Sequence, residues 1–358
     1  MRITITGGGT GGHLFPAIAV AQEFQRRDSM HEIQFIGSER GIEAQVLPQA
    51  GYVLQTVNIK GFAGKRPLKK IESLFSIVPA VLRARRLLRD FRSDIVIGFG
   101  GYISFPAVIA ARLLGLPVAL HEQNSVPGLS NRLLGRCARR IFVTYEEGSS
   151  WFPADKIIHS GLPLRTVPCV DSAAHQDRTV FTVCISGGSQ GAHEINKATI
   201  EALPDFKQSG LRVRFVHQTG ARDAESVVAA YRRHNLQATV APFFDDMLER
   251  FLASDLVIAR AGAGTLAELA VCGRPSILIP YSFAAGDHQK NNALTFIRQG
   301  AAQMLESHDL NGAALAQQLI ALINAPELLH TMSRQARLLA QPRAAQLIVD
   351  ECCRLAAA

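Results

Sequence analysis

Thr6-Gly7-Gly8-Gly9-Thr10-Gly11-Gly12-His13 follows directly on Arg2-Ile3-Thr4-Ile5, and this junction decides the reading of the chain. Arg2–Thr6 predicts a buried β-strand. Pro16-Ala17-Ile18-Ala19-Val20-Ala21 predicts the first turns of a helix, where the fixed φ of proline is tolerated. A strand, a glycine loop and a helix start together make an anion site, because glycines let the backbone approach a ligand and unpaired N–H groups favour a phosphate. The spacing Gly7-x-Gly9-x-x-Gly12 also satisfies the dinucleotide fingerprint, so the loop alone admits a nicotinamide enzyme as well as other nucleotide binders. A turn that merely packs helix on strand does not call for five glycines in six residues.

The pattern returns 180 residues later, where Ile185-Ser186-Gly187-Gly188-Ser189-Gln190-Gly191-Ala192-His193 lies over Ile5–His13 without a gap. Further apolar strands are expected at Ile33–Ile36, Tyr52–Val57, Asp94–Gly98, Val118–His121 and Ile141–Thr144. The second half offers Thr179–Ser186, Arg212–His217, Leu256–Ala259 and Ser276–Pro280. Helix-length segments between them imply parallel, doubly wound sheets, and the repeat implies two Rossmann-like domains. The strand-poor stretch Thr166–Arg178 reads as the linker. A last helix, roughly Ala344–Leu355, could pack on either domain.

A chain of 358 residues exceeds one ordinary core, which agrees with two domains. A formal charge of +8 favours an anionic partner and leaves nucleic acid, a membrane surface and phosphorylated substrates open. The six cysteines show no metal or redox spacing, as expected in a reducing compartment. The chain begins on a strand, so no secretory leader is expected. The longest apolar run, around Tyr102–Leu120, is broken by Arg112 and two prolines, too soon to cross a bilayer. A cytoplasmic protein, soluble or peripheral, is the expectation.

Ligands of open α/β sheets collect at the carboxyl ends of strands. Two polar clusters fall there in the first half, His121-Glu122-Gln123-Asn124 and Gly98-Phe99-Gly100-Gly101-Tyr102-Ile103-Ser104. In the second half Leu256–Ala259 runs into Arg260-Ala261-Gly262-Ala263-Gly264-Thr265 and a helix carrying Glu268, which either accepts ribose hydroxyls or complements the helix dipole. Asp287-His288-Gln289-Lys290-Asn291-Asn292 suits sugar hydroxyls or a plain helix cap. His13 is placed to take a proton from a hydroxyl, to hold a phosphate, or simply to pack. Metal-binding histidine or cysteine motifs are absent from the sequence, and the side chains of the adjacent pair Asp245-Asp246 should diverge. The stretch Lys65–Val78 is basic and amphipathic, with Ile71, Leu74, Phe75 and Val78 on one face. It reads as a membrane-facing patch or as a core face with a solvated back.

Five motifs in this order resemble the MurG-type transferase family of bacterial cell-wall synthesis. They are Gly8-Gly9-Thr10-Gly11-Gly12-His13 with Pro16, His121-Glu122-Gln123-Asn124, Gly187-Gly188-Ser189-Gln190-Gly191-Ala192, Arg260-Ala261-Gly262-Ala263 with Thr265 and Glu268, and Asp287-His288-Gln289 with Asn292. The resemblance implies an α/β chain of GT-B architecture, two Rossmann-like doubly wound parallel-sheet domains facing across a cleft. It places an acceptor and membrane-facing domain at 1–162, joined by the C-terminal helix 340–358, and a UDP-sugar donor domain at 163–339. It implies an inverting hexosyltransferase that moves N-acetylglucosamine from UDP-N-acetylglucosamine to the C4 hydroxyl of lipid I (undecaprenyl-diphospho-N-acetylmuramoyl-pentapeptide), giving lipid II.

By the same resemblance His13 is the general base. Donor contacts are expected from Thr10, Gly11, Gly12 and Asn124 of the first domain and from Arg165 and Ser189 at the phosphates. Phe244 is expected at the uracil, Ala263, Gly264, Thr265, Leu266 and Ala267 along the diphosphate-facing helix start, Glu268 at the ribose and Gln289 at the sugar. The resemblance also favours the membrane role of Ile71, Leu74, Phe75 and Val78. It implies a peripheral protein on the cytoplasmic face of the bacterial inner membrane, partnered by an anionic surface and not by nucleic acid, with no obligatory metal or other cofactor. The chain departs from the family pattern at Leu162, often asparagine, and at Phe244, more usually isoleucine. Two rivals share the loops. An NAD(P)-dependent oxidoreductase would place an acidic residue about twenty positions on, at the end of the second strand; here that strand ends later, at Gly37-Ser38-Glu39. A UDP-sugar epimerase would need no lipid acceptor.

Overall fold

Strand β1 (Arg2–Thr6) is covered on both faces, for Ile3, Thr4, Ile5 and Thr6 have no exposed surface. Its threonines tolerate this because their hydroxyls are paired. Thr4 meets Ser93 Oγ at 2.7 Å and accepts from Gln34 Nε2 at 2.9 Å, while Thr6 donates to the Ile36 carbonyl at 2.9 Å. The computed structural model describes residues 1–59, 77–165 and 180–358. It divides into two units, Met1–Thr166 with Gln341–Ala358, and Val167–Ala340. The first unit thus runs past the expected boundary at Leu162 and takes in Arg165. The stretch expected as linker, 166–178, lies outside the described residues.

In the first unit β1 is followed by β2 (Glu32–Gly37), β3 (Val53–Thr56), β4 (Ile95–Gly98), β5 (Val118–Glu122), β6 (Arg140–Val143) and β7 (Ile157–His159). All pairings are parallel and the order is β3-β2-β1-β4-β5-β6-β7. Helices α1 (Gly11–Arg27), α2 (Glu43–Gln49), α3 (Ile77–Phe91), α4 (Ser104–Leu113) and α5 (Leu129–Leu134) connect the strands. In the second unit β8 (Phe181–Ser186), β9 (Val213–Gln218), β10 (Gln237–Ala241), β11 (Leu256–Ala259), β12 (Ser276–Leu278) and β13 (Ala302–Met304) form a parallel sheet of order β10-β9-β8-β11-β12-β13. Its helices are α6 (His193–Ser209), α7 (Ala224–His234), α8 (Met247–Leu252), α9 (Ala263–Cys272), α10 (His288–Arg298), α11 (Gly312–Ile323) and α12 (Pro326–Leu338). The two sheets share one winding about β1 and β8, the strands that carry the repeat. In each, the order reverses beside that strand, where a doubly wound sheet opens its binding crevice.

Helix α1 starts at Gly11, earlier than the proline predicts. The His13 and Leu14 amides both reach the Thr10 carbonyl, and Thr10 caps the helix in extended conformation (φ −143°, ψ 156°). Pro16 therefore lies inside the helix, and the Gly12 carbonyl, at its exposed start, loses its intrahelical donor. The correction moves Gly11, Gly12 and His13 from the loop into the first helical turn. The last helix, α13 (Ala344–Ala357), packs in the first unit, where Ile348, Val349 and Cys352 are fully buried in one cluster with Ile3, Phe24 and Phe142. Burying each aliphatic side chain is worth about 1.5–3 kcal/mol, enough to hold a terminal helix. Arg140 adds an ion pair to Glu351 at 2.8 Å. Among the described residues no helix is long and apolar enough to cross a membrane.

Candidate active site

In the first unit the carboxyl ends of β1 and β4 place the loops Gly7–Thr10 and Phe99–Gly101 side by side. The first turn of α1 holds no acidic residue and its Gly11 and Gly12 N–H groups have no acceptor within the helix, so it attracts an anion. His13 stands in this turn with Nδ1 3.0 Å from Thr10 Oγ1. Gly100 makes room for its ring. At φ +89° a Cβ would be strained, and it would lie 3.3 Å from His13 Cδ2 and 3.2 Å from Asn131 Nδ2.

Behind His13 lies a buried polar layer. His121 is fully buried, stacks on Phe99 at 5.4 Å and donates Nε2–H to the Gly161 carbonyl at 3.0 Å. Burial pushes its pKa down to about 4, opposed by the Gly161 bond and aided by the proximity of His13, so this imidazole is neutral. Glu122 accepts the Asn124 amide at 3.0 Å, the Gly128 amide at 3.2 Å and Asn131 Nδ2 at 2.9 Å. Burial still holds its carboxyl above the usual range. Asn124 is thus placed through its backbone. His121 Nδ1, Gln123 Oε1 and Asn131 Oδ1 are buried without a hydrogen-bond partner, a concentration more typical of a working site than of a packing layer.

The carboxylate of Glu43 lies under the same loop, fully buried. It accepts from the Gly9 amide at 3.0 Å and from Ser38 N and Oγ at 3.0 and 2.7 Å. Burial alone would raise its pKa, but the bonds from Gly9 and Ser38 outweigh it and hold the carboxyl below its usual range. The first glycine loop therefore carries a fixed negative charge beneath it. Its counterpart does not show this arrangement, for the Gly188 amide bonds the neutral Ser186 Oγ at 3.3 Å. Arg165 belongs to this first unit as well, its guanidinium 4.4 Å from the centroid of the Phe15 ring.

In the second unit β8 and β11 present the loops Gly187–Ala192 and Arg260–Gly262. Ser189 is exposed at the tip of the first. Helix α9 begins at Ala263 behind an extended Gly262, again without acid in its first turn. Gly264, Thr265 and Glu268 share one face by helical spacing and are each partly exposed. Leu266 differs from this expectation, with its side chain wholly buried and its amide bonded to the Gly262 carbonyl, and Ala263 is nearly buried. Phe244 is also mostly buried. Arg250 covers its ring at 3.7 Å and its N–H is bonded to Gln218 Oε1 at 2.8 Å, while the neighbouring Phe243 is exposed. Gln289, in the first turn of α10, accepts the Tyr281 amide at 3.0 Å. Arg260 is buried and braces the loops, donating to the Ile279 and Pro280 carbonyls and to Glu194 Oε2 at 2.9 Å.

The structure thus gathers His13, Thr10, Gly11, Gly12 and Asn124 at one sheet end and Ser189, Gly264, Thr265, Glu268 and Gln289 at the corresponding end of the other sheet. Of the expected patch, Val78 lies on α3 and is exposed, as is Leu82 one turn on, whereas Ile71, Leu74 and Phe75 lie outside the described residues. Sequence reasoning passed over Glu43, Asn131 and Gln218. Gln218 could have been found, since it ends a strand as His121–Asn124 do; a lone Glu43 in a short helix offers no such signal. Among the described residues no group of three or more histidine, cysteine or acidic side chains could hold a metal ion.

Residues 3–143 match the glycosyltransferase family 28 N-terminal domain and residues 182–348 the glycosyltransferase family 28 C-terminal domain. The chain is 43% identical over 357 residues, 98% of both chains, to a protein of Syntrophus aciditrophicus. It is 44% identical over 356 residues to one of Geotalea uraniireducens, covering 98% of this chain and 97% of the relative. Both carry the name UDP-N-acetylglucosamine–N-acetylmuramyl-(pentapeptide) pyrophosphoryl-undecaprenol N-acetylglucosamine transferase. The solved structure of Acinetobacter baumannii MurG superposes with a TM-score of 0.82 at 32% identity, covering 99% of each chain. A UDP-GlcNAc 2-epimerase of Neisseria meningitidis shares the fold alone, with a TM-score of 0.67 at 15% identity.

Proposed function

The chain belongs to the MurG family of glycosyltransferase family 28 enzymes, a GT-B fold, and from that membership we infer that it transfers N-acetylglucosamine from UDP-N-acetylglucosamine to lipid I, giving lipid II. The observation that carries this reading is 43% identity to a transferase of that name along 98% of both chains. The epimerase likeness lies at 15% identity and speaks only for the fold.

The electrostatic contrast between the loops supports a division of labour. The buried Glu43 charge makes the first loop the poorer seat for a diphosphate, so the donor's diphosphate belongs with Ser189 and the α9 start at Ala263, Gly264 and Thr265. Glu268, one turn along, accepts the ribose hydroxyls. Phe244 meets the uracil through backbone and ring edge, since Arg250 already covers one ring face. Gln289 reaches the sugar. Thr10, Gly11, Gly12, Asn124 and Arg165 complete the donor contacts from the first unit.

His13 is the general base. It takes the proton of the acceptor's C4 hydroxyl as that oxygen attacks the anomeric carbon, the bond from that carbon to the UDP oxygen breaks, and the configuration inverts. Thr10 Oγ1 at 3.0 Å orients the imidazole. The charge of departing UDP is met by the α9 N-terminus and Arg165, and no resident metal is required in this scheme. The exposed Val78 and Leu82 on a helix that also bears Arg83, Arg86 and Arg89 support a peripheral seat on the anionic cytoplasmic face of the inner membrane. Incubation with labelled UDP-N-acetylglucosamine and a short-chain lipid I analogue tests the reaction. Label in the lipid product is expected, and epimerised nucleotide sugar with no transfer would refute it.

A further inference from the structure

Gln218 ends β9 with a side chain that is 3% exposed, yet both ends of its carboxamide are engaged. Nε2 donates to the Gly188 carbonyl at 2.9 Å and Oε1 accepts the Phe244 N–H at 2.8 Å. Gly188 belongs to the loop assigned to the diphosphate and Phe244 to the loop assigned to the base. The next two residues extend the clamp. The Thr219 and Gly220 amides donate to the Ala241 and Pro242 carbonyls at 3.1 and 3.0 Å. On the other side, a Cβ on Gly191, at φ +77°, would run into the Thr219 carbonyl, so only glycine lets that loop sit so close.

The clamp has a rigid footing. Asn196 Nδ2 donates to the Thr219 carbonyl at 2.9 Å and to Asp223 Oδ2 at 2.8 Å, and Asn196 Oδ1 accepts from His217 Nε2 at 3.0 Å. A buried amide bonded at both ends between two ligand loops fixes their spacing more tightly than either loop could alone.

We propose that Gln218 is a positioning residue for the donor nucleotide, setting the distance between the loop that holds the diphosphate and the loop that meets the base. It touches no part of the ligand. Losing it leaves each half of the nucleotide its contacts but puts them out of register, so an intact UDP suffers while its fragments do not. This inference rests on the placement of the donor on the second unit.

The test compares the full chain with Gln218→Met, Gln218→Glu and Phe244→Ala. In Gln218→Met, KM for UDP-N-acetylglucosamine and KI for UDP are expected to rise about tenfold, the worth of two lost hydrogen bonds. KM for the lipid I analogue and KI values for uridine and for pyrophosphate should each stay within about twofold, because those ligands do not span the clamp. Unchanged UDP affinity in the folded variant overturns the proposal, as does a parallel loss for every ligand, the mark of a merely structural role. Gln218→Glu keeps the bond from Phe244 and serves the same ratios should the methionine variant not fold; failure of both to fold also ends the proposal. Phe244→Ala separates this from the donor placement. If it leaves UDP affinity at the wild-type value, the base is not seated there and the placement itself fails. If it weakens UDP while Gln218→Met does not, only the clamp is wrong.

Discussion

The carboxylate of Glu43 accepts the backbone N–H of Gly9 at 3.0 Å, so the loop that looks most like a phosphate cradle already holds an anion of the chain's own. Glu43→Gln would turn an amide NH2 toward the donors of Gly9 and Ser38 and is expected to destabilise the fold by about 1–3 kcal/mol. The folded pKa of Glu43 lies below the ordinary 4.5, so its contribution is present above 4.5 and is lost as pH falls through the folded value. Urea unfolding across that range should show wild type and variant converging in acid; a gap that does not narrow would refute the charged pairing.

His13→Ala should lower kcat by roughly 10²–10⁴, the usual share of general base catalysis, because loss of the imidazole removes the proton acceptor from the first turn of α1. KM for UDP-N-acetylglucosamine should stay within about twofold, since the base adds little to ground-state donor binding. Steady-state kinetics on both substrates checks this. Equal losses in kcat and donor affinity would reassign His13 to phosphate binding.

Glu268→Ala should raise KM for UDP-N-acetylglucosamine by about ten- to a hundredfold, as expected for lost charge-assisted bonds to hydroxyls. The penalty should vanish against a donor whose ribose lacks both hydroxyls, because that ligand cannot use the carboxylate. A penalty of the same size for both donors would return Glu268 to complementing the helix dipole.

Two buried histidines make the fold sensitive to mild acid. Burial lowers His121 to about 4 and His217 to about 3, against an ordinary 6.5. Below 6.5 the unfolded chain binds protons that the folded chain does not, so their stabilisation is complete above 6.5 and is lost as pH falls toward 4. Each histidine contributes a slope of up to about 1.4 kcal/mol per pH unit. Denaturation midpoints between pH 7 and 4 measure it, and His217→Gln should remove one histidine's share of the slope. An unchanged slope would refute this assignment.

Val78 and Leu82 are 63% and 59% exposed on one face of α3. Replacing both with glutamate should weaken binding to anionic vesicles by more than about tenfold, losing two apolar anchors and adding two repelling charges, with transfer to a soluble lipid I analogue retained. Vesicle sedimentation reads the first and turnover the second; full retention on vesicles would exclude this face from the contact.

The central strands were legible because parallel strands buried on both faces are near-continuous apolar runs, as β4 and β11 are, while β1 reads as a strand through its β-branched Ile3-Thr4-Ile5-Thr6. The strands missed were β7, β10 and β13, each at a sheet edge, where β10 runs Gln237–Ala241 with no fully buried residue. Half-solvated edges lose the pattern that marks a strand. Pro16 misled in a different way, since its usual preference for a first turn yielded to the Thr10 cap and the helix began at Gly11.

By itself the sequence determined the twin strand–glycine loop–helix units, the two doubly wound domains and the family, because the signature of each is written in short stretches of neighbouring residues. Only the tertiary structure decided which groups fill the loops' N–H and C=O positions. Glu43 reaches Gly9 across 34 residues, and Gln218 reaches Gly188 across 30 and Phe244 across 26. A glycine loop announces that its backbone is available, but its partner is whichever side chain the sheet order brings alongside. That pairing makes the first loop anionic underneath and ties the second to the Phe244 loop that follows β10.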